Sequence, residues 1–168
     1  MRAGERPLVV MGVSGVGKTT VGEGLARRLE ARFVDADDLH SPESIAKMRA
    51  GVALVDEDRL PWLDRVGGVL AGEARVVVAC SALKRSYRDR LRAAAPATMF
   101  VHLEAAPDRV VRQVEERAGH FMPPGLLRSQ IATLEPLDGD ESGVRVVVDA
   151  EPEVLVGRIE KALSGSGG

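Results

Sequence analysis

Short apolar runs alternate along the chain with longer segments of helical spacing. The first run, residues 8–13 (LVVMGV), is continuous, and predominantly apolar runs cover residues 33–34, 75–79, 99–103 and 144–148. Continuous apolar runs of this length are typical of strands that are buried on both faces of a sheet. The pattern therefore predicts five strands with helices packed on both sides of them.

A segment with helical spacing follows each run. In the first of these segments Val21 and Leu25 recur on one apolar face. Pro61 suggests that the third predicted helix begins or kinks at that point, and the Ser/Gly tail at about 164–168 is expected to be disordered. The predicted helices cover residues 18–32, 42–50, 56–71, 84–94, 107–118, 126–134 and 152–163.

This alternation predicts an α/β fold in three layers (α/β/α), built on a five-stranded parallel sheet. Right-handed connections bring the residues that follow each strand to one edge of the sheet, where such folds bind ligands. At 168 residues, the chain is expected to form one domain over residues 1–168. Glycines and prolines at 119–125, preceded by arginines, predict a closing lid within about residues 108–130.

Charge and cysteine content narrow the range of partners. The formal net charge is −2, which provides no long-range field for nucleic acid or an anionic membrane. No apolar run approaches the roughly 18 residues that a membrane span needs, and the single Cys80 cannot form an internal disulfide. We therefore expect a cytoplasmic protein that binds a small molecule, with neither nucleic acid nor membrane as a partner.

Residues 12–19 read GVSGVGKT and match the P-loop pattern G-x-x-x-x-G-K-S/T at every fixed position. The match lies between the first predicted strand and the first predicted helix, where backbone N–H groups and the helix N-terminus can cradle phosphates. Lys18 is expected to reach the β- and γ-phosphates, and the Thr19 hydroxyl to ligate Mg²⁺. The expected nucleotide-binding residues are Gly12, Val13, Ser14, Gly15, Val16, Gly17, Lys18, Thr19 and Thr20.

Candidate acceptor chemistry follows the second strand. Asp35, Asp37, Asp38 and His40 lie within six positions, so one carboxylate could accept a hydroxyl proton while another helps to hold Mg²⁺. The structural alternative is a solvated acidic turn that leads into the next helix. The position of the cluster beside the P-loop strand favours a functional site.

Cations in two later segments complete the candidate site. Arg59 carries a guanidinium that suits a carboxylate, whereas the nearby Trp62 is more often a core residue than a ligand wall. Lys84 and Arg88 follow the third strand, where surface solvation is the alternative interpretation. Cys80, just before them, is interpreted as a small packing residue.

The segments GVSGVGKTT, DADDLH, KMRAG, DEDRLPWL, CSALKRSYRD, GHFM and SQIATLE together resemble the bacterial-type gluconate kinases, which are P-loop small-molecule kinases. The resemblance covers about residues 8–135, and the motifs after the P-loop are specific to that family. It implies a fold of the nucleoside-monophosphate-kinase type with strand order 2-3-1-4-5, and a homodimer. It also implies that ATP, with Mg²⁺, phosphorylates D-gluconate at the C6 hydroxyl to give 6-phospho-D-gluconate and ADP.

The resemblance also implies roles for individual residues. Asp37 is expected to accept the proton of the C6 hydroxyl, and Asp35 to orient water around the Mg²⁺ that Thr19 ligates. Arg117 corresponds to the lid arginine of the family and joins Lys18 and Asp37 as a catalytic residue. The residues expected to line the sugar-acid pocket are Asp37, His40, Arg59, Lys84, Arg88 and His120.

One departure from the family pattern affects the phosphate clamp, and three rival functions stay open. Members often carry a further arginine where this chain has Gln113, and Arg109 or Arg112 are candidates to replace it.

Shikimate kinase pairs a P-loop with a D-x-D motif but is expected to have three glycines where residues 80–82 read CSA. Adenylylsulfate or nucleotide kinases are a second rival. A non-enzymatic nucleotide switch is the third, although the sequence lacks the guanine motif N-K-x-D.

Overall fold

The computed structural model describes residues 3–116 and 124–165. In this part of the chain one sheet of five parallel strands has the order β2-β3-β1-β4-β5, which confirms the predicted fold class and strand order. The strands are β1 (Leu8–Met11), β2 (Arg32–Asp35), β3 (Val76–Ala79), β4 (Met99–Glu104) and β5 (Gly143–Val147). The helices are α1 (Lys18–Leu29), α2 (Pro42–Arg49), α3 (Asp56–Gly72), α4 (Arg85–Ala94), α5 (Pro107–Glu116), α6 (Pro124–Thr133) and α7 (Pro152–Gly165).

Successive residues of the central strand β1 pack into two separate cores. Leu8 and Val10 belong to the core that α1 and α7 complete, whereas Val9 and Met11 belong to the core that α3 and α4 complete. All four side chains are at most 1% exposed. Because both faces of the strand are buried, its sequence is continuously apolar rather than alternating.

The register of the sheet brings the ends of the three central strands together. Asp35 at the end of β2 pairs with Ala79 at the end of β3, and Val10 of β1 pairs with the same Ala79. Beyond this edge, the Gly12 N–H donates to the Ser81 carbonyl at 3.3 Å. The P-loop, the acidic segment and the turn after β3 are therefore neighbours.

Several elements differ from their predicted extent. Helix α1 ends at Leu29 rather than at residue 32, since Glu30 adopts a left-handed conformation that ends the helix. Helix α3 covers Asp56–Gly72, close to the predicted 56–71, and it continues through Pro61 rather than beginning there. Asp58 already stabilises the first turn by accepting the Val55 N–H at 3.0 Å, and burial of Trp62 in the core supports the rest of the helix. Helix α7 continues to Gly165, two residues beyond its predicted end at 163 and into the tail expected to be disordered.

A short 3₁₀ helix, Ala36–Leu39, is a feature that the hydrophobic pattern did not predict. It begins where the Asp35 carboxylate accepts the backbone N–H of Asp37 at 3.0 Å. No helix within residues 3–116 and 124–165 is long and apolar enough to span a membrane.

Candidate active site

The P-loop connects β1 to α1 through glycines whose backbone conformations exclude side chains. Gly12 has a φ of 146°, and a Cβ there would lie 2.9 Å from the Leu103 carbonyl oxygen of β4. Gly17 adopts the left-handed conformation directly before α1, with a φ of 105°. The Lys18 ammonium folds back over the loop and donates to the carbonyls of Gly12 at 3.0 Å and Val13 at 2.9 Å.

The two residues expected to hold Mg²⁺ contact each other. The Thr19 hydroxyl donates to Asp35 Oδ2 at 3.2 Å, while Asp35 Oδ1 accepts the Asp37 N–H at 3.0 Å. A hydroxyl and a carboxylate beside a phosphate loop fit Mg²⁺, which prefers oxygen ligands and takes few from the protein. Within the described residues there is no cluster of three or more His, Cys, Asp or Glu side chains that could hold a metal by themselves.

A cleft of about 400 Å³ lies between the P-loop, the 3₁₀ helix, α2, α3 and α6. Ser14 and Lys18 of the P-loop form one part of its wall, so the cleft opens directly onto the phosphate site. Its other polar and charged lining residues are Asp37, His40, Arg49, Arg59, Ser81, Ser129 and Gln130. The structure thus brings together three of the residues predicted for the acceptor site: Asp37, His40 and Arg59.

His40 is held as a neutral imidazole in this cleft. Its ring stacks on Trp62, with ring centroids 4.2 Å apart and an interplanar angle of 12°. Burial, assisted by the positive charges of Arg65 and Arg59, lowers the pKa of His40 from 6.5 to about 4. Within the part of the chain that the structure describes, the buried Nδ1 has no hydrogen-bond partner.

Trp62 is both a core residue and a wall of the cleft. The side chain is 2% exposed, and its indole N–H donates to the Ala36 carbonyl at 2.7 Å. This hydrogen bond fixes the 3₁₀ helix against α3. The two interpretations of this tryptophan that the sequence allowed are therefore compatible.

Arg59 belongs to a small polar cluster at the start of α3. It donates to the Tyr87 hydroxyl at 3.0 Å, and the same hydroxyl donates to the Asp56 carboxylate. Lys84 also contacts Asp56, with Nζ 3.2 Å from Oδ1. Arg59 lines the cleft, and Lys84 joins the same Asp56–Tyr87 cluster, so the pocket role expected of Lys84 stays a prediction.

Arg88 does not contact the cleft, and the expectation that it lines the sugar-acid pocket is corrected. Its side chain is 0% exposed and forms a paired contact with Glu141, with N–O distances of 2.7 and 2.9 Å. The remaining donors bind the carbonyls of Ala82 at 2.9 Å, Glu135 at 3.0 Å and Pro136 at 3.3 Å. Arg88 therefore joins the turn after β3 to the segment after α6.

Glu141 is ionised to match this arginine. Burial by itself raises the pKa of Glu141, but hydrogen bonds from Arg88, the Asp138 N–H and Arg92 outweigh it and lower the pKa to about 2. Arg88 also binds the carbonyl of Ala82, which has a left-handed conformation with a φ of 43°. Ser81, which precedes this residue, lines the cleft.

Cys80 is buried beneath this turn and is not part of the cleft lining among the described residues. Burial raises the pKa of its thiol to about 12. The thiol is therefore protonated at neutral pH, which agrees with a packing role.

The lid arginine and the last pocket histidine lie outside the described residues. Arg117 and His120 fall in the range 117–123, and their roles stay predictions. Of the candidates to replace the family arginine at Gln113, Arg109 lines a second cavity of about 300 Å³ beside Val16 and Gly17 of the P-loop. Arg112 is exposed.

Sequence reasoning missed several polar cleft residues, among them Ser81 and Gln130. Ser81 lines the cleft from the turn after β3, and Gln130 lines it from α6. The Gln130 carboxamide oxygen accepts the Ser14 N–H at 2.7 Å across 116 positions of sequence. Gln130 lies in the segment SQIATLE, which contributed to the family resemblance without a role for this residue.

A parallel sheet in the order 2-3-1-4-5, with a P-loop that opens onto a polar cleft, defines the chain as a P-loop kinase. Residues 14–126 match the family model described as shikimate kinase. Relatives that match most of the chain identify a narrower family within the P-loop kinases. The gluconokinase of Gluconobacter oxydans (strain 621H) is 45% identical over 155 residues, which cover 90% of this chain and 87% of the relative.

Two further comparisons agree. The thermosensitive gluconokinase of Escherichia coli (strain K12) is 42% identical and covers 84% of this chain and 78% of the relative. A gluconokinase from Sinorhizobium meliloti 1021 has a solved structure that superposes with a TM-score of 0.86 at 43% identity, over 98% of this chain and 93% of that one. The chain belongs to the gluconokinase family.

Proposed function

We propose that the protein transfers the γ-phosphoryl group of ATP to the C6 hydroxyl of D-gluconate, giving 6-phospho-D-gluconate and ADP. The observation that carries this proposal is the shared wall of the cleft, where the P-loop residues Ser14 and Lys18 stand with Asp37, His40 and Arg59. Such a site presents a carboxylate base, a phosphate-binding cation and a carboxylate-binding cation to one small ligand.

The donor end of the reaction uses the P-loop. Lys18 exchanges its loop carbonyls for the β- and γ-phosphates, and the N-terminus of α1 adds the positive end of its dipole. Thr19 and Asp35 would hold Mg²⁺, directly or through its water. When bound, the ion neutralises negative charge on the phosphates.

The acceptor end uses the opposite wall of the cleft. Asp37 accepts the proton of the attacking hydroxyl, and the guanidinium of Arg59 binds the C1 carboxylate. Arg49, from the end of α2, offers a second cation for the same group. The neutral His40 suits a hydrogen bond to a sugar hydroxyl, since its pKa of about 4 leaves the imidazole uncharged at neutral pH.

The nucleotide base fits the second cavity, on the other side of the P-loop. Val16, Gly17, Arg109, Pro152 and Leu155 contribute to the walls of this 300 Å³ space. A base seated there would extend its phosphates along the loop toward Ser14 and the cleft. Arg117 and His120 are proposed to close over the transferred group and the sugar acid, as the family resemblance implies.

Product analysis tests this function directly. The purified protein is incubated with ATP, Mg²⁺ and D-gluconate, and the products are examined by ³¹P NMR with coupling to the C6 methylene protons. We expect a phosphomonoester on C6 together with ADP. Inorganic phosphate alone, or an ester on another carbon, would contradict the proposal.

The homodimer and the cytoplasmic location are further proposals. The homodimer is implied by the family resemblance, and sedimentation velocity checks it. We expect a species of about twice the chain mass of 17.9 kDa. A single species at the mass of one chain would contradict the dimer.

A further inference from the structure

The P-loop makes one hydrogen bond to a side chain of the helix that follows the lid region. The Ser14 N–H donates to Gln130 Oε1 at 2.7 Å, and both residues line the acceptor cleft. Backbone N–H groups of a P-loop ordinarily face phosphate oxygens. A carboxamide at this position therefore shares the concavity in which the nucleotide phosphates bind.

The position of Ser14 along the loop identifies which phosphate is nearest. Val16, Gly17 and Thr20 border the cavity assigned to the base, whereas Ser14 and Lys18 border the acceptor cleft. ATP bound between the two cavities would place its terminal phosphate at the acceptor side. Gln130 thus stands at the γ-phosphate end of the loop, in the same cleft as Asp37.

Helix α6, which carries Gln130, is anchored both before and after this residue. Leu127, one turn earlier on α6, is buried in the core that also contains Leu8 and Val10. After the helix, the Glu135 N–H donates to the Leu83 carbonyl at 2.7 Å, and the Arg88 guanidinium binds the Glu135 carbonyl. The carboxamide is therefore presented from an anchored helix, which favours a fixed geometry during catalysis.

The chemistry of the carboxamide determines what it offers the ligand. The Ser14 N–H can only donate, so the Gln130 oxygen faces the loop and its NH₂ group supplies donors next to it. We propose that Gln130 binds the γ-phosphoryl group during transfer, with its oxygen fixed on Ser14 and its NH₂ donating to a phosphoryl oxygen. This inference rests on the proposed phosphotransfer function of the cleft.

Two substitutions test the Gln130 carboxamide: one removes both its donor and its acceptor, and the other keeps only an acceptor. Gln130→Met removes both, and we expect kcat to fall about 10- to 100-fold, the range for a lost hydrogen bond to a charged group. KM for gluconate should change by less than about threefold, because the interaction strengthens in the transition state. Gln130→Glu keeps an oxygen for Ser14 but adds negative charge beside the phosphoryl group, so kcat should fall about 100-fold or more.

Nucleotide binding provides a readout that needs no acceptor. Calorimetry with ADP and with a non-hydrolysable ATP analogue compares binding without and with a γ-phosphate. Gln130→Met should weaken binding of the analogue about 5- to 10-fold while ADP binding stays within about twofold of wild type. If wild type binds both nucleotides but does not phosphorylate gluconate, the proposed function is wrong and this binding test still stands.

Matched controls lie on the same helix. Ala132 is an exposed residue of α6, so Ala132→Met and Ala132→Glu should leave kcat and both affinities unchanged. A Gln130→Glu protein with kcat within about threefold of wild type would overturn the inference, since the added charge would then be remote from the phosphoryl group. Equal losses of ADP and analogue binding in Gln130→Met would overturn it as well, by assigning the residue to loop structure alone.

Discussion

Asp37 is the side chain from which the proposed chemistry takes its base. Asp37→Asn preserves the size of the side chain and the backbone N–H that Asp35 accepts. We expect kcat to fall about 10²- to 10⁴-fold, because the attacking hydroxyl loses its proton acceptor. ATP binding, measured by titration, should stay close to that of wild type.

The neighbouring carboxylate supplies the control for this substitution. Asp38→Asn removes the same charge one position later, outside the cleft lining given by the described residues, and should leave kcat near wild type. If Asp37→Asn instead lost ATP affinity while retaining turnover, Asp37 would belong with Thr19 and Asp35 at the metal.

His40 makes stability depend on pH over a defined window. Its pKa is 6.5 in the unfolded chain and about 4 in the folded protein, chiefly because of burial. As the pH falls from 6.5 toward 4, the unfolded state takes up a proton that the folded state does not, so the free energy of unfolding decreases. At pH 7 the folded state is neutral and the unfolded state mostly neutral, and the effect is small.

Urea unfolding at pH 7 and pH 5 measures this contribution. His40→Gln cannot take up the proton, so its free energy of unfolding should fall less between the two pH values than that of wild type. Equal falls for the two proteins would show that His40 titrates normally in the folded state. Other titrating groups are common to both proteins and cancel in the comparison.

The local sequence was sufficient to select candidate site residues that belong to a recognisable motif or lie close to one another along the chain. Lys18 and Thr19 follow from the P-loop pattern, and Asp35 follows from its place at the end of a strand that borders the same edge. The prediction that Arg88 lines the sugar-acid pocket was wrong, because an arginine beside a strand end resembles a ligand-binding cation in the sequence. Its partner, Glu141, is 53 positions away.

At the scale of elements, the buried pair of Arg88 and Glu141 fastens α4 to the segment after α6. Arg88→Met fits the aliphatic volume but leaves the buried Glu141 with the partly exposed Arg92 as its remaining cation. Breaking a buried pair of this kind costs about 3–5 kcal/mol. We expect a loss of this size in the free energy of unfolding, measured by denaturant titration. Where the variant stays folded, KM for gluconate should change little.

An exposed pair on the same helix provides the comparison. Arg90 binds Asp64 at 2.8 Å, with side chains 42% and 59% exposed. Arg90→Met should therefore cost less than about 1 kcal/mol. Equal losses for the two variants, or a large rise in KM confined to Arg88→Met, would contradict the structural role of Arg88.

The expected catalytic role of the lid arginine, Arg117, rests on the family resemblance. Arg117→Ala should lower kcat more than it raises KM for gluconate, because a lid cation stabilises charge that develops during transfer. Steady-state kinetics with both substrates varied checks this. Unchanged turnover would make Arg117 a surface residue.

Element boundaries also show where local patterns stop being informative. Pro61 normally ends or kinks a helix, yet α3 continues through it because Trp62 and later apolar residues are buried against the sheet. In the active site, the position of Gln130 likewise could not be predicted from a local pattern. Its contact with Ser14 depends on how α6 packs over the P-loop, which no short motif encodes.

At the scale of the whole molecule, the fold could be predicted because its main determinants repeat along the chain. The central strands β1 and β3 are continuously apolar, and each of the five strands is followed by a helix, which together indicate a parallel sheet covered on both faces. The order 2-3-1-4-5, implied by the resemblance, then gathers the strand ends into one cleft. The acceptor class follows from that cleft only in combination with the gluconokinase relatives.

The cleft is proposed to select a sugar acid as the phosphoryl acceptor. A coupled ADP-release assay over gluconate, shikimate, adenylylsulfate and nucleoside monophosphates tests it most directly, with ATP and Mg²⁺ held constant. We expect gluconate to stimulate ADP release well above background hydrolysis and more than every other acceptor. No stimulation by gluconate, or a higher kcat/KM for shikimate, would contradict it.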